Sequence, residues 1–271
     1  MSRVRKRVIQ MRTKTTQDRV RGYVFEEMEG CLLLFDIDGT LIDAGDAGVG
    51  AIRRATADLY GDQIPVPELD VRGATDAALA RKLLPAMGAE VNPGSVERLY
   101  AAYLRRLRER LEEVNPEAGI LPGVCDLLDT LKEAGATLGL LTGNVEAGAW
   151  IKLERFGLAD YFSFGAFGDE HPDRDKLGPE ALAKAERVHQ ARFHPGQVVV
   201  VGDTPRDISC GRVIGASTIA VATGGYALQE LSDCNPTLAV RSLEEQGVIL
   251  DLVSRCSLGK VSDSGTREQA I

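Results

Sequence analysis

The sequence has no apolar run near the ~20 residues that a helix needs to cross a bilayer, and its longest apolar stretches have the length of buried strands. It has five cysteines in 271 residues, an odd number, and no two of them stand in a Cys-x-x-Cys spacing. These absences argue against a membrane protein and against a disulfide framework. They predict reduced thiols, a cytoplasmic location and no membrane partner.

Clustered basic side chains are missing from most of the chain, whose net charge is −8. Residues 1–28 carry eight basic and three acidic side chains, a charge of +5, so the remaining residues carry −13. Because nucleic acid is bound by clustered Lys and Arg, the acidic body predicts no nucleic-acid partner. The basic segment lacks the apolar stretch of a secretory signal. We interpret residues 1–29 as a disordered extension, with a transit peptide as the alternative.

What the sequence does contain is a succession of short apolar runs and amphipathic segments. We predict strands over residues 31–37, 136–141, 161–167, 197–201, 217–221 and 237–240. We predict helices over residues 46–60, 75–87, 95–114, 123–134, 145–156, 179–190, 205–214 and 243–250. From the fourth helix onward strands and helices alternate, which predicts an α/β fold with an open, parallel, Rossmann-like sheet covered by helices on both faces.

Three predicted helices follow one another directly after the first strand, before the alternation begins. We therefore predict a small all-α cap domain over residues 46–117, inserted into an α/β core made of residues 30–45 and 118–252. Residues 253–271 are predicted to be a disordered tail. In open parallel sheets ligands bind beyond the carboxyl ends of the strands, so the residues that follow the strands are the candidates for a functional site.

The first predicted strand ends in Asp-Ile-Asp-Gly-Thr, residues 36–40. On an extended chain, side chains two residues apart point the same way, so Asp36 and Asp38 are expected to enter one crevice. Two like charges at that distance need a cation, or one of them must hold a proton near neutral pH. Unpartnered carboxylates are costly in a protein interior, which disfavours a purely structural role.

Two further predicted strands end in polar residues. Residues 140–144 read Leu-Leu-Thr-Gly-Asn, where the Thr142 hydroxyl and the Gly143 amide are suited to a phosphoryl oxygen. The alternative for Thr142 is to cap the next helix. Residues 202–207 read Gly-Asp-Thr-Pro-Arg-Asp, and Asp203 and Asp207 offer the hard oxygen ligands that Mg²⁺ prefers. The alternative role for these two carboxylates is structural, with Asp203 as a helix N-cap and Asp207 in the first helical turn.

Taken in order, these segments and a basic loop before the helix predicted at 179 resemble the motifs of the haloacid dehalogenase (HAD) superfamily of phosphatases. The resemblance covers residues 31–250. The helical insertion is similar to the cap of the phosphoglycolate-phosphatase-like branch. Residues 73–76, Gly-Ala-Thr-Asp, look like that branch's Gly-x-Thr-Asp segment.

The resemblance implies that Asp36 is the nucleophile and Asp38 the general acid/base. It also implies a loop cation, for which the family pattern Lys-Pro-x-Pro points to Lys176, although Leu replaces the first Pro here. Some relatives use an Arg two residues earlier, which would be Arg174. We expect Lys176, which keeps the family spacing to Pro179.

The resemblance further implies two sets of binding residues. The substrate would contact Thr142, Gly143 and Asn144, together with Thr75 and Asp76 of the cap. The cofactor Mg²⁺ would be held by Asp36, Asp38 (through its backbone), Asp203 and Asp207.

The implied activity is a Mg²⁺-dependent phosphatase that hydrolyses a small-molecule, phosphoglycolate-like phosphate monoester through an aspartyl-phosphate. A β-phosphoglucomutase-like phosphotransferase has a similar core and cap, but its cap pattern has a basic residue where this chain has Thr75 and Asp76. An alternative from another class is a catalytically silent binding protein on the same fold, which the intact Asp36 and Asp38 argue against.

Overall fold

A computed structural model describes residues 28–64, 66–67, 70–113 and 115–257. Its centre is a six-stranded sheet in which every neighbouring pair is parallel. From one edge to the other, its strands are β5 (Gly165–Ala166), β4 (Thr137–Leu141), β1 (Leu32–Phe35), β6 (Val198–Gly202), β7 (Ser217–Val221) and β8 (Leu238–Val240). The predicted α/β class with an open parallel sheet is confirmed.

Nine helices are present in the described part of the chain, and none of them is both long and apolar enough to cross a membrane. They are α1 (Ala47–Tyr60), α2 (Asp76–Ala86), α3 (Pro93–Glu112), α4 (Val124–Glu133), α5 (Glu146–Arg155), α6 (Leu177–His189), α7 (Pro205–Val213), α8 (Leu228–Asp233) and α9 (Gln246–Ser257). The prediction missed α8, a six-residue helix in which only Leu231 is buried, because one apolar position gives no periodicity.

The central strand β1 is buried on both faces because its side chains alternate between two apolar clusters. Leu33 and Phe35 belong to the cluster that includes α4, α5 and α9. Leu32 and Leu34 belong to the cluster on the opposite face, which includes α6 and α7. A strand covered on both sides needs a continuous apolar run, and this explains why the sequence pattern located it correctly.

Helices α1, α2 and α3 form the insertion, and a short antiparallel pair, β2 (Ile42–Asp43) and β3 (Gly119–Ile120), lies at its base. Helix α3 begins two residues earlier than predicted because Asn92 caps it and Pro93 occupies its first position, where the missing N–H has no cost. The insertion has a small apolar cluster of its own around Leu83 and Leu99, but Leu107 packs in the core cluster of the sheet.

The ends of the described region differ from the predicted boundaries. Met28 is buried and its amide donates to the Ala134 carbonyl at 2.8 Å, so the folded part begins before residue 30. Helix α9 continues to Ser257 with Val253 and Cys256 buried, so residues 253–257 are helical and do not belong to a tail. The rest of both predicted disordered segments, 1–27 and 258–271, lies outside the described residues.

Candidate active site

A cavity of about 430 Å³ lies beyond the carboxyl ends of β1, β4 and β6 and beneath the helical insertion. The residue that directly follows each of these strands, Asp36, Thr142 and Asp203 respectively, lines this cavity. Parallel neighbouring strands end at one edge of the sheet, which is why residues more than 100 positions apart meet there. Asp38, Gly143 and Asn144 line the same cavity.

Three carboxylates form a buried acidic cluster at this edge. Oxygens of Asp36, Asp203 and Asp207 all lie within 4.8 Å of one another. Burial raises the pKa of Asp36 to about 6, although Arg174 opposes the shift. Burial and then repulsion from Asp36 raise the pKa of Asp203 to about 8. When all three carboxylates are ionised, the single positive charge of Arg174 leaves the cluster with a net negative charge.

The residues of this cluster fit a divalent cation such as Mg²⁺, because they are hard oxygen donors with excess negative charge. The backbone around Asp203 is also shaped to leave its carboxylate room. A Cβ on Gly39 or on Gly224 would come within 2.5 Å or 1.7 Å of Asp203 Oδ2. Asp207 differs from the other two because Arg174 and Thr204 already donate to its two oxygens, so it is better placed to hold these partners than to bind metal directly.

Of the two candidate loop cations, Arg174 faces the candidate nucleophile, and the favoured Lys176 does not line the cavity. The buried guanidinium Nη2 lies 3.2 Å from Asp36 Oδ1 and also contacts Asp207. Lys176 is exposed and does not line the cavity. Both residues belong to one 3-10 turn, Arg174–Lys176, in which residues two apart project in different directions.

A second buried cation, Lys152 of α5, contacts the candidate acid/base and was missed by the sequence analysis. Its Nζ lies 2.8 Å and 2.6 Å from the two carboxylate oxygens of Asp38 and donates to Asn144 Oδ1 at 2.7 Å. The amide of Asn144 donates to Asp38 Oδ2 and to Thr142 Oγ1, both at 2.8 Å. Helical spacing in the sequence could have indicated that Lys152 is buried, because it lies on the same face of α5 as Ala149 and Gly148.

The predicted cap residues Thr75 and Asp76 join the insertion to the core. The Thr75 hydroxyl caps α2 and donates to the Pro172 carbonyl at 2.9 Å, and Thr75 does not line the cavity. The Asp76 amide donates to the Gly143 carbonyl at 2.8 Å, and its carboxylate accepts from the Val145 amide at 2.7 Å. Burial raises the pKa of Asp76 to about 6. Asp76 lines the cavity, but its amide and its carboxylate are hydrogen-bonded to the protein backbone.

A parallel sheet with an acidic cluster at its carboxyl edge and a helical insertion above it defines a capped α/β enzyme. The family model described as haloacid dehalogenase-like hydrolase matches residues 33–221, and the chain belongs to this family. The family resemblance inferred from the four motifs is confirmed.

Proteins similar to this chain cover most of its length. The phosphoglycolate phosphatase of Chromobacterium violaceum is 28% identical over 218 residues, which are 78% of this chain and 92% of that protein. The N-acetylmuramic acid 6-phosphate phosphatase of Pseudomonas aeruginosa is 31% identical over 192 residues, 71% of this chain and 81% of that protein. The crystal structure of CbbY from Rhodobacter sphaeroides in complex with phosphate has the same fold, with a TM-score of 0.64, 19% identity and coverage of 80% of this chain and 96% of that one.

Proposed function

We propose that this chain is a Mg²⁺-dependent phosphatase that hydrolyses a small-molecule phosphate monoester through an aspartyl-phosphate on Asp36. The observation that carries the proposal is the buried Asp36 at the cavity wall, 3.2 Å from the Arg174 guanidinium and next to the carboxylate of Asp203. The phosphatases among the similar proteins support the same chemistry. Bound to Asp36 and Asp203, Mg²⁺ would supply positive charge that neutralises phosphoryl oxygens.

In the first step an Asp36 oxygen attacks phosphorus and the bond to the ester oxygen breaks. The departing alkoxide takes a proton from Asp38, so an alcohol and an aspartyl-phosphate result. In the second step Asp38 takes a proton from water, which attacks the phosphorus of the aspartyl-phosphate. Inorganic phosphate leaves, and Asp36 is restored as a carboxylate.

Two donors of the cavity wall are available for the phosphoryl oxygens. Thr142 Oγ1 accepts a hydrogen bond from Asn144, which leaves the hydroxyl hydrogen of Thr142 free to donate. Arg174 lines the cavity with its guanidinium 3.2 Å from Asp36 Oδ1, so it is the second group available to a phosphoryl oxygen. Asp207 contacts the same guanidinium and helps to hold it in place.

The experiment that tests the proposal measures release of inorganic phosphate from a panel of metabolite monoesters, with Mg²⁺ and with excess chelator. Mg²⁺-dependent release supports it. Interconversion of a sugar phosphate without free phosphate would identify a phosphotransferase. Absence of turnover on the whole panel would instead favour a silent binding protein.

Lys152 is expected to position the Asp38 carboxylate, because its ammonium group contacts both carboxylate oxygens. We expect Lys152→Met to lower kcat by roughly 10²-fold for an alkyl phosphate, comparable to the loss of general acid–base assistance, with little change in KM. The loss in kcat/KM, which reports only the steps up to departure of the leaving group, should be smaller for p-nitrophenyl phosphate, whose leaving group needs no proton. Lys82→Met, at an exposed position of α2, is the control and should behave like the wild type. Equal losses on both substrates would contradict the assignment.

Mg²⁺ is expected to raise the Tm of the chelator-treated protein more at a pH above about 8 than below about 6. Without metal, the folded-state pKa values of Asp36 and Asp203 lie above the ordinary value of 3.8, so the folded protein binds more protons than the unfolded chain and loses stability as pH rises. Bound Mg²⁺ offsets this loss of stability at high pH, whereas at low pH protons compete with Mg²⁺ for the two carboxylates. Differential scanning fluorimetry measures the Tm shifts caused by Mg²⁺ at both pH values. Asp203→Asn should abolish them, and a shift that persists in this variant would place the metal elsewhere.

A further inference from the structure

The side of the cavity that faces the insertion is mainly apolar. Val49 and Ile52 of α1, Leu79 of α2 and the ring of Tyr103 of α3 line it. The total volume of about 430 Å³ lies in the range typical of sites for whole small molecules. A two-carbon leaving group would leave much of this space, and the apolar wall, without contact.

The charged side chains around the cavity are predominantly acidic. The acids that line it are Asp36, Asp38, Asp43, Asp46, Asp76 and Asp203, and the bases are Arg72, Lys152 and Arg174. Each of these bases already has a protein partner. Lys152 contacts Asp38, and Arg174 contacts Asp36. Arg72 donates to the Gly225 carbonyl at 3.3 Å and lies over the Tyr226 ring, with its side chain 57% exposed.

We infer that the alcohol released by this enzyme is uncharged: a hydroxylated alcohol of more than two carbons with an apolar face, and not a carboxylated one such as glycolate. This inference rests on the proposed phosphatase function. A substrate carboxylate on the insertion side would meet the buried Asp76 and the exposed Asp46, which pairs with Arg110 at 3.7 Å. The two buried cations of the lining are already paired with Asp38 and Asp36. The remaining one, Arg72, is 57% exposed, and an exposed ion pair contributes little. Burying an unpaired charge among like charges is strongly unfavourable, whereas hydroxyl groups can donate to those same carboxylates.

The test compares two matched pairs of monoesters in the presence of Mg²⁺. Glycerol 3-phosphate has a terminal hydroxymethyl group where 3-phosphoglycerate has a carboxylate. Sorbitol 6-phosphate and 6-phosphogluconate differ in the same way at the end of a longer chain. We expect kcat/KM to be higher for the neutral member of each pair, by at least roughly tenfold. Higher kcat/KM for the carboxylated members would overturn the inference and leave the phosphatase assignment intact. Absence of phosphate release from all four esters and from the wider panel would overturn both.

A variant of the apolar wall provides a second measurement. Val49→Arg introduces a further cation into the cavity and should raise the ratio of kcat/KM for 3-phosphoglycerate over glycerol 3-phosphate by about tenfold or more. Val248→Arg, at an exposed position of α9, should leave the ratio unchanged. Asp46→Asn is a second variant in case Val49→Arg does not fold, because the Asp46 side chain is 61% exposed. Removing this lining charge should raise the same ratio of kcat/KM values. An unchanged ratio in the folded variants would overturn the inference.

Discussion

Asp36→Asn is expected to reduce steady-state phosphate release by at least about 10⁴-fold, because an amide cannot form the acyl-phosphate on which the proposed reaction depends. Phosphate release is measured on protein free of deamidated material, since a trace of regenerated Asp36 would mimic residual activity. Asp251→Asn, at an exposed position of α9, is the control and should retain wild-type turnover. Substantial activity in pure Asp36→Asn would refute covalent catalysis at this residue.

The same substitution also separates catalysis from folding. Burial raises the pKa of Asp36, so the ionised carboxylate is destabilised in the metal-free protein. A neutral amide of the same shape should therefore leave the Tm of the chelator-treated protein at or above the wild-type value near neutral pH. A large fall in Tm would mean that Asp36 acts mainly as a partner of Arg174, from which it lies 3.2 Å away.

Arg174→Ala is expected to lower kcat by about 10²- to 10³-fold, or about 3 kcal/mol, which is the usual effect of removing one donor to a developing negative charge. Its guanidinium contacts Asp36 and Asp207 from a buried position, where the loss of a charge is poorly screened by solvent. Lys176→Ala should change kcat by no more than about threefold, because an exposed loop charge contributes little. Steady-state kinetics on both variants gives the comparison, and a severe loss for Lys176→Ala alone would contradict the arrangement.

Removal of a buried ion-pair partner also affects stability, so Arg174→Ala needs a second variant. The loss leaves Asp36 and Asp207 facing each other without compensation, which costs about 3–5 kcal/mol in comparable buried sites. Arg174→Lys keeps the charge but lacks the planar guanidinium, whose Nη2 contacts both carboxylates while Nη1 donates to the Gly73 carbonyl. We expect it to recover most of the Tm and only part of kcat. Full recovery of both would show that charge alone matters at this position.

The sequence alone was sufficient for the fold class and for the residues at the strand ends. Asp36, Thr142 and Asp203 each directly follow a buried strand, and parallel strands deliver such residues to one edge whatever the details of packing. The prediction was weaker where the local signal was short. Strand β5 has two residues instead of the predicted seven, because as an edge strand it pairs only briefly with β4.

The pairing of charges was decided only by the tertiary structure. Arg174 and Lys176 stand two residues apart, and the orientation of one turn determines which of them reaches Asp36. Lys152 belongs to a helix that looks ordinary in sequence, and its partner Asp38 lies 114 residues away. Sequence patterns report local periodicity and the chemistry of single positions. An ion pair depends on the distance between distant segments, and that distance is set by how helices pack on the sheet.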